Sequence, residues 1–313
     1  PAAVDDLLMR VWAPARARAL EEQKDLEAIA RGEGFSGPIM GWDWFFYAEK
    51  LRQERYALDE AELKPYFQLE KMTDAMFDAA GRLYGVAFKE LTGVPLYHPD
   101  ARLYEVSDKA SGAIVGVFIT DSFARPTKRG GAWMNEFRNQ SRNRSGGYPY
   151  PIVINNNNFA KAPAGKPTLL SLDDVRTLFH EFGHGLHGLL SDVTYNRLAG
   201  TNVLRDFVEL PSQINEHWAL TPEILKKHAV HAVSGKPISD ELISLIKKSE
   251  HFNQGFLTVA YTSCALIDMS LHQHPNPDRL NLAAFEKAEC ERLGVPEAVG
   301  MRHRLPQFRH LFA

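Results

Sequence analysis

The first hundred residues carry the apolar and polar spacing of helices. Residues 4–31 are rich in alanine, leucine, glutamate and arginine, and they predict a long helix that ends at a glycine. Residues 42–56 predict an aromatic amphipathic helix. Asp59 with Glu62 three residues later is typical of a capping box, so a third helix is expected to run from there toward Gly85.

The pattern then changes to the alternation of strands before it returns to helices. Residues 101–108 and 112–121 are rich in β-branched and aromatic residues around a polar turn, which predicts a hairpin. Residues 150–159 predict a third strand, and the segment between is expected to be a loop. The fold class expected is therefore mainly α with a small β-sheet. The later helices are predicted at residues 171–190, 207–220, 238–251, 252–272 and 281–292.

Composition and charge exclude several classes of protein. The 313 residues are 44% hydrophobic and 24% charged, which suits a globular protein with a sizeable core. The formal net charge of -3 does not favour nucleic acid or an anionic membrane as a partner. No apolar run approaches the length of a membrane span. Two cysteines, Cys264 and Cys290, make no disulfide framework, so a reducing, cytoplasmic location is expected.

A basic stretch in the predicted loop allows two interpretations. It could form a patch for nucleic acid or another partner, or it could be an ordinary solvated loop, and the net charge favours the loop. The basic residues are Lys128, Arg129, Arg138, Arg142 and Arg144.

The segment "TLFHEFGHGLHGLL" lies in a well-specified amphipathic helix. Ser171 and Asp174 suit its N-cap and first turn. Its apolar positions recur at helical spacing and form one stripe, made by Val175, Leu178, Phe179, Phe182, Leu186 and Leu189.

The polar residues of this helix have the spacing of a metal site. His180 and His184 are four residues apart, so both imidazoles project from one face and can reach the same Zn²⁺. Glu181 is turned by about 100° from His180, which places it to act as general base on a water. The alternative is a pair of core or surface histidines. Three glycines inside this helix indicate either close approach of another backbone or a substrate, or tight helix packing. They are Gly183, Gly185 and Gly188.

His187 is a further candidate ligand on the same helix. It lies seven residues after His180, but one straight helix rarely places three ligands around a tetrahedral ion. The longer spacing H-E-x-x-H-x-x-G-x-x-H fails, because position 187 is His instead of Gly and position 190 is Leu instead of His. A role in packing or in supporting a ligand is therefore the favoured interpretation of His187.

A catalytic zinc needs a third protein ligand and an open position. The downstream candidates are Asp192, Asp206, Glu209 and Glu216. Asp192 suits a local turn, whereas Glu209 and Glu216 are seven apart and share one face of the next predicted helix. Spacing alone does not choose between those two glutamates.

The segments "FHEFGHGLH" and "GTNVLRDFVELPSQINEHW" together resemble the thimet oligopeptidase family of zinc metallopeptidases. "DSFARPTKRGGAWM", "FNQGFLTVAYTSCALIDM" and "FRHLFA" agree with this resemblance, which covers most of the chain and is nearest to the bacterial peptidyl-dipeptidase branch. It implies a zincin-like catalytic region with one Zn²⁺ per chain and Glu209 as the third ligand. Glu216 would orient a zinc-bound histidine, the alternative being a cap or surface acid, and Gly200 and Thr201 belong to a loop that would contact substrate.

The resemblance also implies a partial catalytic domain. It divides into a helical part (1–100), a small sheet with loops (101–160) and a helical zinc-site part (171–313). A Tyr-rich segment that follows "FRHLFA" in the family is not in this sequence, so the 1–313 chain is expected to show weak or no peptidase activity even with zinc bound.

The function expected of the full-length protein is zinc-dependent hydrolysis of short peptides, with release of C-terminal dipeptides. The alternatives are an endo-acting oligopeptidase with the same site, or a zinc-binding piece without activity. The expected partners are short peptides, without nucleic acid or membrane, and the full-length protein is expected to be a monomer.

Overall fold

The computed structural model describes residues 1–56, 59–142, 150–308 and 311. The chain divides into two compact units, one made of residues 1–58 and 244–313 and the other of residues 59–243. Ten α-helices lie in the described residues: α1 (Ala2–Gly32), α2 (Trp44–Tyr56), α3 (Glu60–Leu63), α4 (Leu69–Leu83), α5 (Leu172–Leu189), α6 (Arg205–Ala219), α7 (Pro222–His228), α8 (Asp240–Lys248), α9 (Gln254–His272) and α10 (Leu282–Leu293).

The first unit is helical in its described residues, and its core joins α1, α2, α9 and α10. Trp44 of α2 stacks on Phe256 of α9 with ring centroids 4.6 Å apart. The buried carboxylate of Glu22 in α1 accepts hydrogen bonds from the backbone N–H groups of Gly255 and Phe256 at 3.1 and 2.8 Å. It thereby satisfies two of the free N–H groups at the start of α9.

The second unit contains a mixed five-stranded sheet. Its strands lie in the order β1-β2-β3-β5-β4, with β3 and β5 parallel and the other pairs antiparallel. Helix α5 packs on this sheet through its apolar stripe, as the 5.3 Å separation of the Phe182 and Phe118 rings shows. The strands are β1 (Val86–Glu90), β2 (Arg102–Asp108), β3 (Ile114–Phe123), β4 (Trp133–Arg138) and β5 (Ile152–Phe159).

The structure confirms a mainly helical fold with a small sheet, the hairpin of β2 and β3, and the third strand β5. The prediction of a loop between the second and third strands was wrong at residues 133–138, which form the edge strand β4. Its large apolar side chains Trp133 and Phe137 are exposed, so the sequence does not show the usual alternation of buried apolar and exposed polar residues. The prediction that the first hundred residues are helical was wrong at residues 86–90, which form β1. The third helix is divided into α3 and α4 by a 3₁₀ turn at Pro65. The short α7 was not predicted.

The N-terminus of α5 forms as expected. The Oγ of Ser171 accepts from the backbone N–H of Asp174 at 3.0 Å, and the Asp174 carboxylate accepts from the backbone N–H of Ser171 at 2.9 Å. This reciprocal capping box satisfies one free N–H of the first turn and fixes where the helix begins. The start of the histidine-bearing helix is therefore set by local contacts.

Most basic residues of the segment predicted as a loop form hydrogen bonds or ion pairs within the chain. The side chain of Lys128 is 6% exposed, and its Nζ donates to the Asp121 carboxylate at 3.2 Å and to the Phe123 carbonyl at 2.8 Å. Arg142 pairs with Asp192. Such contacts favour a structural role for these cations, while Arg144 lies outside the described residues. In the part of the chain described here, no helix is both long and apolar enough to cross a membrane.

Candidate metal centre

Helices α5 and α6 bring three potential metal ligands together. The Oε2 atom of Glu209 lies 3.1 Å from the Nε2 atom of His180 and 3.1 Å from the Nε2 atom of His184. All three donor atoms lie within 4.8 Å of one another. They come from two turns of α5 and from the facing side of α6, so the site depends on the packing of these two helices.

The donor atoms fit a zinc ion. Zinc bonds to imidazole nitrogen and carboxylate oxygen are about 2.0–2.2 Å long, and a tetrahedral ion then holds its ligand atoms about 3.3 Å apart. The two Nε2–Oε2 separations of 3.1 Å come close to that value. Two histidines and one carboxylate form the donor set of open catalytic zinc sites, whereas closed structural sites use four cysteine or histidine ligands.

Glu216 contacts the outer nitrogen of His180. Its Oε1 atom lies 2.7 Å from His180 Nδ1, on the side of the ring opposite the candidate site. A carboxylate in this place accepts a hydrogen bond from Nδ1–H and leaves the Nε2 lone pair free for a metal. Spacing alone did not show which glutamate would be the third ligand. In the structure Glu209 faces the Nε2 atoms of His180 and His184, whereas Glu216 contacts Nδ1 of His180.

Glu181 is close to the candidate ligands but is not one of the three clustered donors. It is 6% exposed, and its Oε2 atom is buried without a hydrogen-bond partner among the described residues. Burial raises the pKa of Glu181 to about 7, with a smaller opposing effect from His180 and a further increase from Glu209. A carboxylate in this environment suits proton transfer near neutral pH.

Burial also acts on the histidines. It lowers the pKa of His184, which favours the neutral imidazole that a metal ion requires. For His180, burial acts in the same direction, but the hydrogen bond to Glu216 and the nearby carboxylates outweigh it and raise the pKa. The two rings thus lie in different electrostatic surroundings although they face the same point.

His187, Gly200 and Thr201 lie outside the three-donor cluster. The ring of His187 faces that of Phe207 at 6.3 Å between centroids. The backbone N–H of Gly200 donates to Ser191 Oγ at 2.6 Å, so the loop folds against the end of α5. Gly200 has a φ of +53°, the left-handed region in which glycine carries little strain.

Glu136 of β4 lies beneath this loop. A Cβ atom built on Gly188 or Gly200 would lie 2.5 Å from Glu136 Oε1, which has no hydrogen-bond partner among the residues described. Burial raises the pKa of Glu136 to about 7, although the hydrogen bond from Asn139 acts in the opposite direction. Glu136 is therefore a partly buried acid that favours its neutral form in the folded chain.

This raised pKa predicts a pH dependence of stability. The folded state keeps a proton on Glu136 that the unfolded chain, with a pKa near 4.5, has already lost. The free energy of unfolding should therefore decrease as pH rises from 4.5 to about 7, by about 1–3 kcal/mol at 1.36 kcal/mol per pKa unit. Glu136→Gln removes this contribution, so denaturant titrations should show it gaining stability over the parent between pH 5 and pH 8. Glu105→Gln on β2 is the matched control, and an equal gain there would refute the assignment.

The glycines of α5 mark close packing against neighbouring elements. A Cβ atom on Gly183 would lie 2.6 Å from the Cα of Ser212 in α6, and one on Gly185 would lie 3.1 Å from Asn155 Oδ1 of β5. Of the two interpretations open from the sequence, this geometry favours tight packing at Gly183 and Gly185. Gly183 sets the approach of α6, and with it the position of Glu209.

Gly183→Ala is expected to destabilise the protein and weaken metal binding. The new methyl group would meet backbone atoms of Ser212 and Pro211, which do not move away as a flexible side chain would. We expect a loss of about 1–3 kcal/mol in the free energy of unfolding, measured with urea. The control is Gly32→Ala, whose Cβ would meet nothing within 4 Å and should not destabilise. Equal stabilities of the Gly183→Ala and parent chains would show that α6 is not held by this contact.

No role was predicted from the sequence for two residues of α6 that contact α5 or Glu209. Asn215 of α6 donates through Nδ2 to the backbone carbonyl of Phe179 at 2.6 Å, which ties α6 to α5 inside the unit. Ser212 is buried beside Glu209. Ser212 lies three residues after Glu209, Asn215 lies three residues after Ser212, and both lie against Gly183 of α5. This i, i+3 spacing is the signal that could have identified them.

Comparisons with known proteins show which family the chain belongs to. Residues 1–313 match Peptidase family M3. The chain is 42% identical to a dipeptidyl carboxypeptidase of Salmonella typhimurium and 41% identical to that of Escherichia coli. It is 34% identical to oligopeptidase A of Escherichia coli. Each of these alignments covers 100% of this chain but 46% of the relative, so the chain spans about half the length of the proteins it matches.

The chain belongs to Peptidase family M3, a family of metallopeptidases. The resemblance inferred from the two motifs is thereby confirmed. The relatives named dipeptidyl carboxypeptidase have the higher identities, in line with the expected nearness to the peptidyl-dipeptidase branch.

Proposed function

We propose that the whole protein is a zinc-dependent peptidase that releases dipeptides from the C-termini of short peptides. The observation that carries the proposal is the convergence of His180 Nε2, His184 Nε2 and Glu209 Oε2. Identities of 41–42% to proteins named dipeptidyl carboxypeptidase support the exopeptidase assignment. A zincin-like arrangement, with both histidines on one helix, belongs to the same proposal.

His180, His184 and Glu209 would hold the zinc ion. Zinc bound there would supply Lewis acidity to polarise the scissile carbonyl and to lower the pKa of a water. Glu181 would take the proton from the attacking water and deliver it to the leaving amine. Its burial, and its electrostatic interaction with both His180 and Glu209, support this role.

The surrounding residues have supporting parts in the proposal. Glu216 would keep His180 in the tautomer that presents Nε2, as its 2.7 Å contact with Nδ1 suggests. Gly200 and Thr201 would contact the substrate backbone from the loop beside α5. His187 would pack beneath that loop rather than bind the ion, since the donor cluster does not include it.

An endo-acting oligopeptidase is the second candidate, favoured by the 34% identity to oligopeptidase A. Product analysis separates the two. The whole protein would be incubated with matched peptides that carry a free or an amidated C-terminus, and products identified by mass spectrometry. Successive dipeptides from the free peptide, and little cleavage of the amide, are expected. Equal internal cleavage of both peptides would support the endo-acting alternative.

The remaining expectations stay predictions. They are a cytoplasmic location, a monomeric full-length protein, the absence of nucleic-acid or membrane partners, and weak activity of the 1–313 chain. The last of these is tested by assaying the zinc-loaded chain beside the whole protein. Equal turnover numbers would show that the missing half of the relatives' length is dispensable for catalysis.

A further inference from the structure

Ser212 has an unusual pair of hydrogen-bond acceptors for a serine inside a helix. It lies in α6 one turn after Glu209 and is 0% exposed. Its Oγ atom lies 2.9 Å from the backbone carbonyl of Glu209 and 2.9 Å from Glu209 Oε2. The hydroxyl therefore reaches both the main chain and the carboxylate of the same residue.

Ser263, another buried serine, shows that the hydrogen bond from Ser212 to a backbone carbonyl is ordinary. Ser263 of α9 is also 0% exposed and donates to the carbonyl of Ala260, three residues earlier, at 3.3 Å. This local bond to the preceding turn is common for serines in helices. The contact with a carboxylate is what distinguishes Ser212. Because a hydroxyl has one proton and a carboxylate is the stronger acceptor, the bond to Glu209 Oε2 is the favoured one.

The acceptor is the same atom that faces both histidines. Glu209 Oε2 lies 3.1 Å from the Nε2 atoms of His180 and His184 and 2.9 Å from Ser212 Oγ. A carboxylate oxygen has two lone pairs, so it can accept from the hydroxyl with one and face the histidines with the other.

Glu209 needs such a support because its side chain is 50% exposed. A long, half-exposed glutamate has several rotamers, and ordering it costs up to about 2 kcal/mol of side-chain entropy. A bond from a fixed donor reduces that cost before any ion binds. Ser212 is such a donor, because its Cα lies against Gly183 and the nearby Asn215 ties α6 to α5.

We infer that Ser212 is a positioning residue for the third metal ligand: its hydroxyl holds Glu209 Oε2 toward His180 and His184. The inference deepens the proposed function and rests on the metal site assigned there. It adds a residue that neither binds the ion nor touches the substrate and that acts through Glu209.

The test measures zinc affinity, by competition with a chelator, for the parent chain, Ser212→Ala and Ser263→Ala. Loss of an outer partner of a metal ligand typically costs 10–100-fold in affinity. Ser212→Ala should bind zinc about 10–100-fold more weakly than the parent. Ser263→Ala loses the same kind of local bond and should not change zinc affinity. Equal affinities of Ser212→Ala and the parent would overturn the inference.

A double-mutant cycle separates positioning from general damage to the fold. If Ser212 acts through the Glu209 carboxylate, Ser212→Ala should have no further effect on zinc affinity in a Glu209→Ala chain. A similar loss in both backgrounds would mean that the serine only supports the fold, and would overturn the inference. Alanine has the higher helix propensity and adds no atom, so Ser212→Ala should fold. Ser212→Gly is a second variant with the same expected loss.

The outcomes also distinguish this inference from the function on which it rests. A parent chain that does not bind zinc would refute the proposed metal site and the role of Ser212 together. A parent that binds zinc, loses it with Glu209→Ala and keeps it with Ser212→Ala would leave the proposed function intact and refute only the inference.

Discussion

Glu181→Gln should reduce peptide hydrolysis by the whole protein about 10²–10⁴-fold while leaving zinc affinity unchanged. Glutamine has nearly the same shape as glutamate but cannot take a proton from water. Glu181 is outside the three-donor cluster, so the ligands are untouched by the change. The burial of Glu181 makes the neutral replacement easy to accommodate, which removes misfolding as an explanation for lost activity.

The measurement is the turnover number on a short peptide, with zinc content determined on the same samples. The control is Glu223→Gln, which exchanges an exposed glutamate at the start of α7 and should keep full activity. Parent-like turnover by Glu181→Gln would show that another residue moves the proton. Loss of zinc together with activity would instead place Glu181 among the groups that bind the ion.

Glu209→Ala should weaken zinc binding by the chain more than 100-fold. Removing even an outer partner of a ligand costs 10–100-fold in affinity, so removing one of three protein ligands should cost more. The variant leaves His180 and His184 four residues apart on α5, a pair that cannot complete the donor set alone. Chelator competition on the parent and variant chains measures the loss directly.

Two other replacements sharpen this experiment. Asp206→Ala removes an exposed acid three residues earlier on the same helix and should leave zinc affinity unchanged. His187→Ala tests the remaining histidine of α5. It should also leave zinc affinity unchanged, because the ring of His187 packs near that of Phe207. If Glu209→Ala kept its zinc and His187→Ala lost it, the third ligand would be His187.

The fold was predictable where the spacing of apolar residues and the capping residues indicate the same element. The stripe of α5 and its Ser171–Asp174 capping box specify that helix without tertiary information. Strand β4 was missed because an edge strand has one neighbour, and its large side chains Trp133 and Phe137 are exposed. Position in the sheet, which the local sequence does not encode, decides whether such a segment becomes a strand.

The site was predictable up to the choice of its third ligand. His180 and His184 share a face by helical geometry alone, and Glu181 follows from the same spacing. Glu209 and Glu216 also share a face, but Glu209 meets the Nε2 atoms of both histidines, whereas Glu216 meets Nδ1 of His180. That difference depends on how closely α6 approaches α5, which is set by the contact of Gly183 with Ser212. The resemblance to a family supplied what spacing could not.

The most direct test of the proposed metal centre is the location of zinc in crystals of the chain grown with the metal. Anomalous scattering at the zinc absorption edge would locate the ion without assumptions about its ligands. We expect one peak per chain, about 2.0–2.2 Å from His180 Nε2, His184 Nε2 and Glu209 Oε2. A peak bound by other residues, or no peak at saturating zinc, would contradict the proposed metal centre.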